Sequence, residues 1–429
     1  MKIVRLHPTN RVLAWIEDRL PVLSFLAAHT THYYAPKNLN VWYYFGVLAL
    51  VVLVNQLVTG IFLAMHFKPG AAEAFASVEY IMRDVEWGWL IRYLHSTGAS
   101  LFFVVIYLHM LRGFLYGSYK RPREFVWVLG MLIFLVLMAE AFMGYVLPWG
   151  QMSFWGAKVI VSLFGAIPYV GDTLVEWIMG DYLPADATLN RFFALHVVAL
   201  PLALLALVAV HILALHEVGS NNPDGIDLGH DETAGQPPRD AIRFHPYYTV
   251  EDTLSVCVFL LLSAFVVFFE PTFGGLFLEH DNFVVANPLV TPEHIRPVWY
   301  FTPYYAMLRV VPDKLAGVFT MFAAVALLFA MPWLDRGKVR SIRYRGTGYK
   351  IALGVFVIAF VLLGALGFGS TGAWIARLFG EGADVNAVEN AFGRVLVAAY
   401  FGFFVFVWVY TRFGFERTRP LPERVTGHA

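Results

Sequence analysis

A single cysteine in 429 residues excludes internal disulfides, cysteine-ligated clusters and the C-x-x-C-H attachment of a covalent haem. Cys257 lies in an apolar run and reads as a small buried packing residue. Charge is also scarce. Only 14% of residues are charged, and 31 basic against 31 acidic residues leave no excess that would argue for a nucleic-acid partner. The first 40 residues are polar, with no apolar core before a small-residue cleavage site, so no cleaved signal peptide is expected. What is abundant is hydrophobicity: 59% apolar and 17% aromatic exclude a soluble fold and predict a polytopic membrane protein.

Runs near the length needed to cross a bilayer predict eight helical spans, at 41–66, 88–116, 124–147, 190–216, 252–270, 315–334, 350–369 and 393–412. Basic residues cluster before the first span (Lys2, Arg5, Arg11, Arg19, Lys37) and between the second and third (Arg112, Lys120, Arg121, Arg123). They cluster again between the sixth and seventh (Arg336, Lys338, Arg340, Arg343, Arg345, Lys350) and after the eighth (Arg412, Arg417, Arg419, Arg424). All four clusters fall on one side under the positive-inside rule, which puts both termini on the cytoplasmic or matrix face. The stretch 151–180 is apolar but broken by Gly156, Gly165, Pro168 and Gly171, and suits two short amphipathic surface helices. The polar segment 217–251 separates a four-helix half, 1–216, from a second half, 252–429, and reads as an ordered connection because Phe244, Tyr247 and Tyr248 interrupt its Pro and Gly.

Four histidines lie inside two of these spans, His95 and His109 14 residues apart in the second, His196 and His211 15 apart in the fourth. At about 100° per residue, 14 steps return to within about 40° of the starting face and 15 to within about 60°. Each span can therefore turn both histidines to one side. Second and fourth spans run in the same direction, so His95 pairs with His196 near the positive side and His109 with His211 near the negative side, the two levels about 21 Å apart along the membrane normal. Gly46 and Gly60 in the first span, and Gly130 and Gly144 in the third, repeat the 14-residue period and would let a flat macrocycle approach the backbone. Imidazole is an axial ligand for haem iron, and a bundle interior can hold the group between facing helices. This predicts an all-α protein whose first four helices bind two non-covalent haems. Arg92 and Arg112 lie three residues outward of His95 and His109, where propionates would emerge. The competing reading for those arginines is snorkelling at helix ends.

The runs RYLHSTGAS, GYVLPWGQMSFWGA, RFFALH, LHEVGSNNP and FHPYYT resemble cytochrome b, the haem-bearing subunit of the cytochrome bc complexes of respiration and photosynthesis, over nearly the whole chain. The resemblance implies a ubiquinol–cytochrome c reductase subunit that oxidises quinol, ubiquinol or a relative, at the positive side and reduces quinone at the negative side. It also implies a Rieske iron–sulfur protein, a membrane-anchored c-type cytochrome, surrounding lipid and a second copy of the chain as partners, in a bacterial inner membrane with both termini cytoplasmic. Tyr145, Trp299, Tyr300 and Tyr305 match aromatic positions of the family's quinol pocket, in which Pro297 opens the Pro-x-Trp-Tyr motif of the loop 271–314. His216 and Asp252 match its quinone-binding pair, and a histidine with an aspartate is chemically apt for delivering protons to a reduced quinone.

The family's motif carries a glutamate that contacts quinol and takes a proton, but this chain has Val298 there. Valine cannot bind a proton. Two carboxylates are candidates to replace it: Glu140, an ionisable residue within the third span, and Glu293, four residues before Pro297. At the quinone-reducing side Glu251 stands where many relatives have lysine, and Val47 where several have serine. The 15-residue spacing in the fourth span resembles the plastid-type relatives, which, unlike this chain, are split into two polypeptides. Two other classes share parts of the pattern. A two-haem dehydrogenase anchor would not need the Pro-x-Trp-Tyr loop, and a transporter with intramembrane histidines would lack the glycine register.

Overall fold

The computed structural model describes residues 5–228, 238–380 and 384–425. Lys2 of the first basic cluster and residues 229–237 of the connection lie outside the described residues. Among the described residues, eight helices are long and apolar enough to cross a membrane: Val41–Ala64, Gly88–Tyr116, Glu124–Val146, Asp186–Val218, Tyr247–Phe269, Lys314–Leu334, Thr347–Phe368 and Val385–Arg412. They correspond one to one with the predicted spans. The eighth starts earlier than hydropathy suggests because Asp384 caps its N-terminus, accepting from the Ala387 N–H, and a polar first stretch continues the helix. There Glu389 accepts from Thr371 Oγ1 at 2.6 Å.

The fourth span is not a uniform α-helix. Leu195–Ala199, which contains His196, forms a π turn just before Pro201. A π turn takes up one residue more than an α turn, so the 15-residue spacing of His196 and His211 behaves on the helix surface like the 14-residue spacing of the second span. The expected 60° offset therefore shrinks toward 40°.

Two short helices, Gln151–Ser162 and Gly171–Met179, occupy the glycine-broken stretch after the third span, as its pattern predicts. Two more, Arg11–Arg19 and Val22–His29, form where the polar start gave no helical expectation. Asn10 caps the first through its side chain, and the buried Glu17 carboxylate accepts from Leu23 N at 2.8 Å and from Ser24 Oγ, tying one helix to the other. Tyr34–Pro36 then pairs antiparallel with Ala241–Arg243, anchoring the N-terminal segment to the connection between the halves.

One hydrophobic cluster runs from Val52, Phe103 and Phe134 of the first half to Tyr300, Phe356 and Tyr400 of the second. The fourth and fifth spans contribute little to it, leaving most of their apolar surface outward. Cys257 belongs to that outward surface: it is exposed, not buried as its apolar setting suggests, because the fifth span packs only a narrow stripe inward.

Candidate functional site

The two helices that carry the histidines bring His95 and His196 face to edge, with ring centroids 6.2 Å apart and planes at 86°. That gap accommodates one metal ion with an imidazole bond of about 2 Å on either side. The hydrogen bonds fix which ring nitrogen is free. His196 Nδ1 lies 2.9 Å from the Glu140 carbonyl oxygen, which can only accept, so Nδ1 carries the proton. Thr59 Oγ1 donates to Asn55 O at 2.6 Å and therefore accepts from His95 Nδ1 at 2.9 Å. Both rings thus keep Nε2 as an unprotonated ligand atom, oriented by a partner on the other nitrogen.

The glycine register has a sharper meaning than backbone clearance alone. A Cβ on Gly60 would meet His95 Cε1 at 3.2 Å, on Gly46 His109 Cε1 at 3.5 Å and on Gly130 His211 Cε1 at 3.3 Å, and on Gly144 it would overlap His196. Each glycine backs one histidine. Gly60, Arg92, His95, Glu140, Gly144 and His196 line a common cavity of about 230 Å³. No carboxylate among the described residues pairs with Arg92. At the other level the Arg112 guanidinium lies 5.2 Å from the Tyr43 ring centre, with Nη2 3.4 Å from His109 and Nε buried without a partner. A cation without a carboxylate at each level, paired imidazoles and small residues behind them together suit a flat, anionic macrocycle.

The Pro297–Tyr300 segment forms the wall beside this site. Tyr300 stacks on Phe103 with centroids 3.9 Å apart, its carbonyl accepts from Tyr107 at 2.6 Å, and Trp299 Nε1 donates to Ser100 Oγ at 3.1 Å. Val298 is 4% exposed and faces the histidine cavity. Arg296, Pro297 and Tyr305 face a second cavity of about 830 Å³, walled by Phe142, Met143, Gly156 and Ile160. Tyr305 donates to Ile295 O at 3.1 Å, holding the loop's far end. Neither acid named from the sequence faces this second cavity. Glu140 turns to the ligand, its Oε1 3.0 Å from His196 Nδ1, and Glu293 is exposed and lines neither cavity. Sequence reasoning missed Glu279, a loop residue that is 3% exposed and accepts from Tyr145 at 2.6 Å. Nothing in its flanking sequence, Leu278 and His280, signals burial.

At the opposite end His216 Nδ1 lies 2.6 Å from His29 Nδ1, and Tyr33 stacks on the His216 ring at 4.3 Å. His29 was hidden in the polar N-terminal stretch. Asp252 is half-buried in the first turns of the fifth span beside Glu251, which accepts from Tyr44 at 2.5 Å. Among the described residues no hydrogen bond or ion pair joins Asp252 to His216.

Two family models match, "Cytochrome b/b6/petB" over residues 30–219 and "Cytochrome b(C-terminal)/b6/petD" over 285–379. The chain belongs to the cytochrome b family. It is 53% identical to the cytochrome b of Allochromatium vinosum over 422 residues, 96% of this chain and 98% of that one. The cytochrome b of Rhodospirillum rubrum is 52% identical over 358 residues, 83% of this chain and 85% of that one. A solved structure titled "Hyperthermophilic respiratory Complex III" superposes with a TM-score of 0.82 at 35% identity, covering 94% of this chain and 99% of that one. As a bacterial cytochrome b of the bc type, the chain is an electron-transferring membrane subunit of a quinol–cytochrome c reductase.

The placement of Glu140 gives this cytochrome b a testable feature. A carboxylate oxygen 3.0 Å from the ligand's Nδ1 brings negative charge beside the imidazole, which favours oxidised iron. Where haem is held between His95 and His196, Glu140→Gln should therefore raise its midpoint potential, by the order of one tenfold step or about 59 mV, without loss of haem. A potentiometric titration showing no shift would remove Glu140 from this role.

Proposed function

We propose that the chain oxidises quinol in the 830 Å³ cavity at the positive side and reduces quinone beside His216 at the negative side. One electron of each quinol leaves to a Rieske iron–sulfur partner and then to a membrane-anchored c-type cytochrome. The other crosses from the level of His95 and His196 to that of His109 and His211. Haem bound between each pair would supply a reversible one-electron centre. The residues do the rest: Thr59 and the Glu140 carbonyl hold His95 and His196 with Nε2 free, and Arg92 and Arg112 offer cations to propionates. Pro297, Phe301 and Tyr305 offer an apolar wall to a quinone ring. His29 and Tyr33 hold the His216 imidazole at the negative-side site, where Asp252 is the second proton-carrying group.

Moving one charge against the membrane potential costs about 2.3 kcal/mol per 100 mV, so sending the two electrons apart is what stores energy. On this reading both termini lie in the cytoplasm of a bacterium, which the positive-inside pattern supports, the spans cross its inner membrane and the chain works as a dimer. The observation that carries the reading is the matched set of two histidine pairs, each histidine backed by its own glycine. A redox titration of the purified complex followed by visible spectra should resolve two b-type haems at separate potentials. A preparation that contains no haem would end this reading.

A further inference from the structure

Between the two cavities stands a buried carboxylate that the mechanism above does not use. Glu279 sits where the loop after the fifth span enters a 3-10 turn, His280–Phe283. Its Oε2 accepts from the Tyr145 hydroxyl at 2.6 Å, and its Oε1 accepts from Arg296 Nε at 3.1 Å. Tyr145 lines the histidine cavity together with Val298, whereas Arg296 lines the apolar cavity together with Pro297 and Tyr305. The carboxylate is therefore reached from both chambers, through one side chain each. On its outer side the chain runs directly to His280 and Asp281, both exposed.

Resting on the quinol-oxidising reading, we propose that Glu279 is the terminal proton acceptor of quinol oxidation, loaded through Tyr145, and supplies the carboxylate that Val298 lacks. A quinol seated against Pro297 and Tyr305 in the apolar cavity extends its head past the Pro297–Val298 partition, so that one hydroxyl reaches Tyr145 in the histidine cavity. Its O–H bond breaks, the proton passes to the Tyr145 oxygen, and the tyrosine's own proton passes to Glu279. Tyr145 ends as it began, Glu279 ends protonated, and the electrons leave to the iron–sulfur partner and the haem side. Glu279 then releases its proton past His280 and Asp281 to the positive side.

Burial pushes the Glu279 carboxyl above the ordinary carboxylate range, and the Tyr145 hydrogen bond and the Arg296 charge draw it partly back. A carboxyl raised in this way is a better proton acceptor than an ordinary one. The charged and titratable groups facing it are Tyr145 from the third span, Arg296 from the loop, His280 and Asp281 from its own turn, and Tyr300 behind them. Burial keeps the Tyr300 hydroxyl far above the carboxylate range.

The test uses the purified multi-subunit complex, measuring kcat and KM for quinol across the range where carboxylates and histidines titrate, with visible spectra of each variant. Wild-type turnover should rise with pH as Glu279 ionises. Glu279→Gln should lower kcat about a hundredfold, abolish that rising limb and leave KM and both haem spectra unchanged. Glu279→Asp should keep the limb, and Val298→Glu added to Glu279→Gln should restore turnover. A Glu279→Gln complex with wild-type kcat and limb overturns the proposal. So does equal loss in the Asp and Gln variants without rescue by Val298→Glu, which would mark Glu279 as packing alone. A wild-type complex without quinol turnover would instead overturn the underlying functional reading.

Discussion

Gly144→Ala is expected, on the proposed two-haem reading, to strip the positive-side haem while leaving the negative-side one in place. A Cβ built on Gly144 overlaps the His196 ring, reaching Nδ1 and Nε2 at 2.9 Å as well as Cε1. The ring has little freedom to retreat, since its Nδ1 is held by the Glu140 carbonyl and its backbone by the π turn. Displacing an oriented ligand of this kind costs about 10- to 100-fold in affinity for the bound group. The same substitution at Gly46 meets His109 only at 3.5 Å, an ordinary contact, and should retain both haems. Gly130 and Gly60, at 3.3 and 3.2 Å, should fall between. Haem-to-protein ratios from visible spectra rank the four variants, and full haem loading of Gly144→Ala would contradict the account.

The largest loss of stability is expected from Asp335→Asn, far from either cavity. Asp335 has a fully buried carboxylate that pairs with Lys120 Nζ at 2.8 Å and Arg345 Nη1 at 2.5 Å, and accepts from the Tyr119 hydroxyl at 2.6 Å. Neutralising it leaves two buried cations facing Glu416 alone, a change worth about 3–5 kcal/mol. Burial pushes the Asp335 carboxyl up, but the Lys120 and Arg345 charges outweigh it and hold the group below its ordinary range. A depressed carboxyl contributes stability that is complete above its unfolded pKa of about 3.9 and fades as pH falls through the lower folded value. The variant should therefore melt at lower temperature at neutral pH and show less acid dependence than wild type. An unchanged thermal midpoint of the detergent-solubilised protein would show that the network contributes nothing.

The eight spans were legible because hydropathy measures what a bilayer demands, and the histidine and glycine periods because a helix converts spacing into facing. Spacing misled where the helix was not regular. The extra residue between His196 and His211 read as a wider angle, and only the π turn shows that the face is kept. Burial of loop residues was not legible at all. Glu279 and Glu293 lie in one connecting segment, and the acid nearer the motif in sequence is the exposed one. Which acid turns inward depends on Tyr145 and Arg296, contributed by residues that sequence order keeps apart. His29 was overlooked for the same reason, since its partner His216 stands 187 positions later.

The connection between the halves looks like the hinge on which the molecule depends, yet most of the attachment lies elsewhere. Trp127 donates across to Leu328 O at 2.7 Å, Tyr107 to Tyr300 O at 2.6 Å and Tyr349 to Phe114 O at 3.0 Å, all inside one continuous apolar interior. Cutting the chain at the connection would therefore leave these contacts in place. The residues assigned to electron transfer are thus held by packing between the halves, not by the strand of chain that joins them.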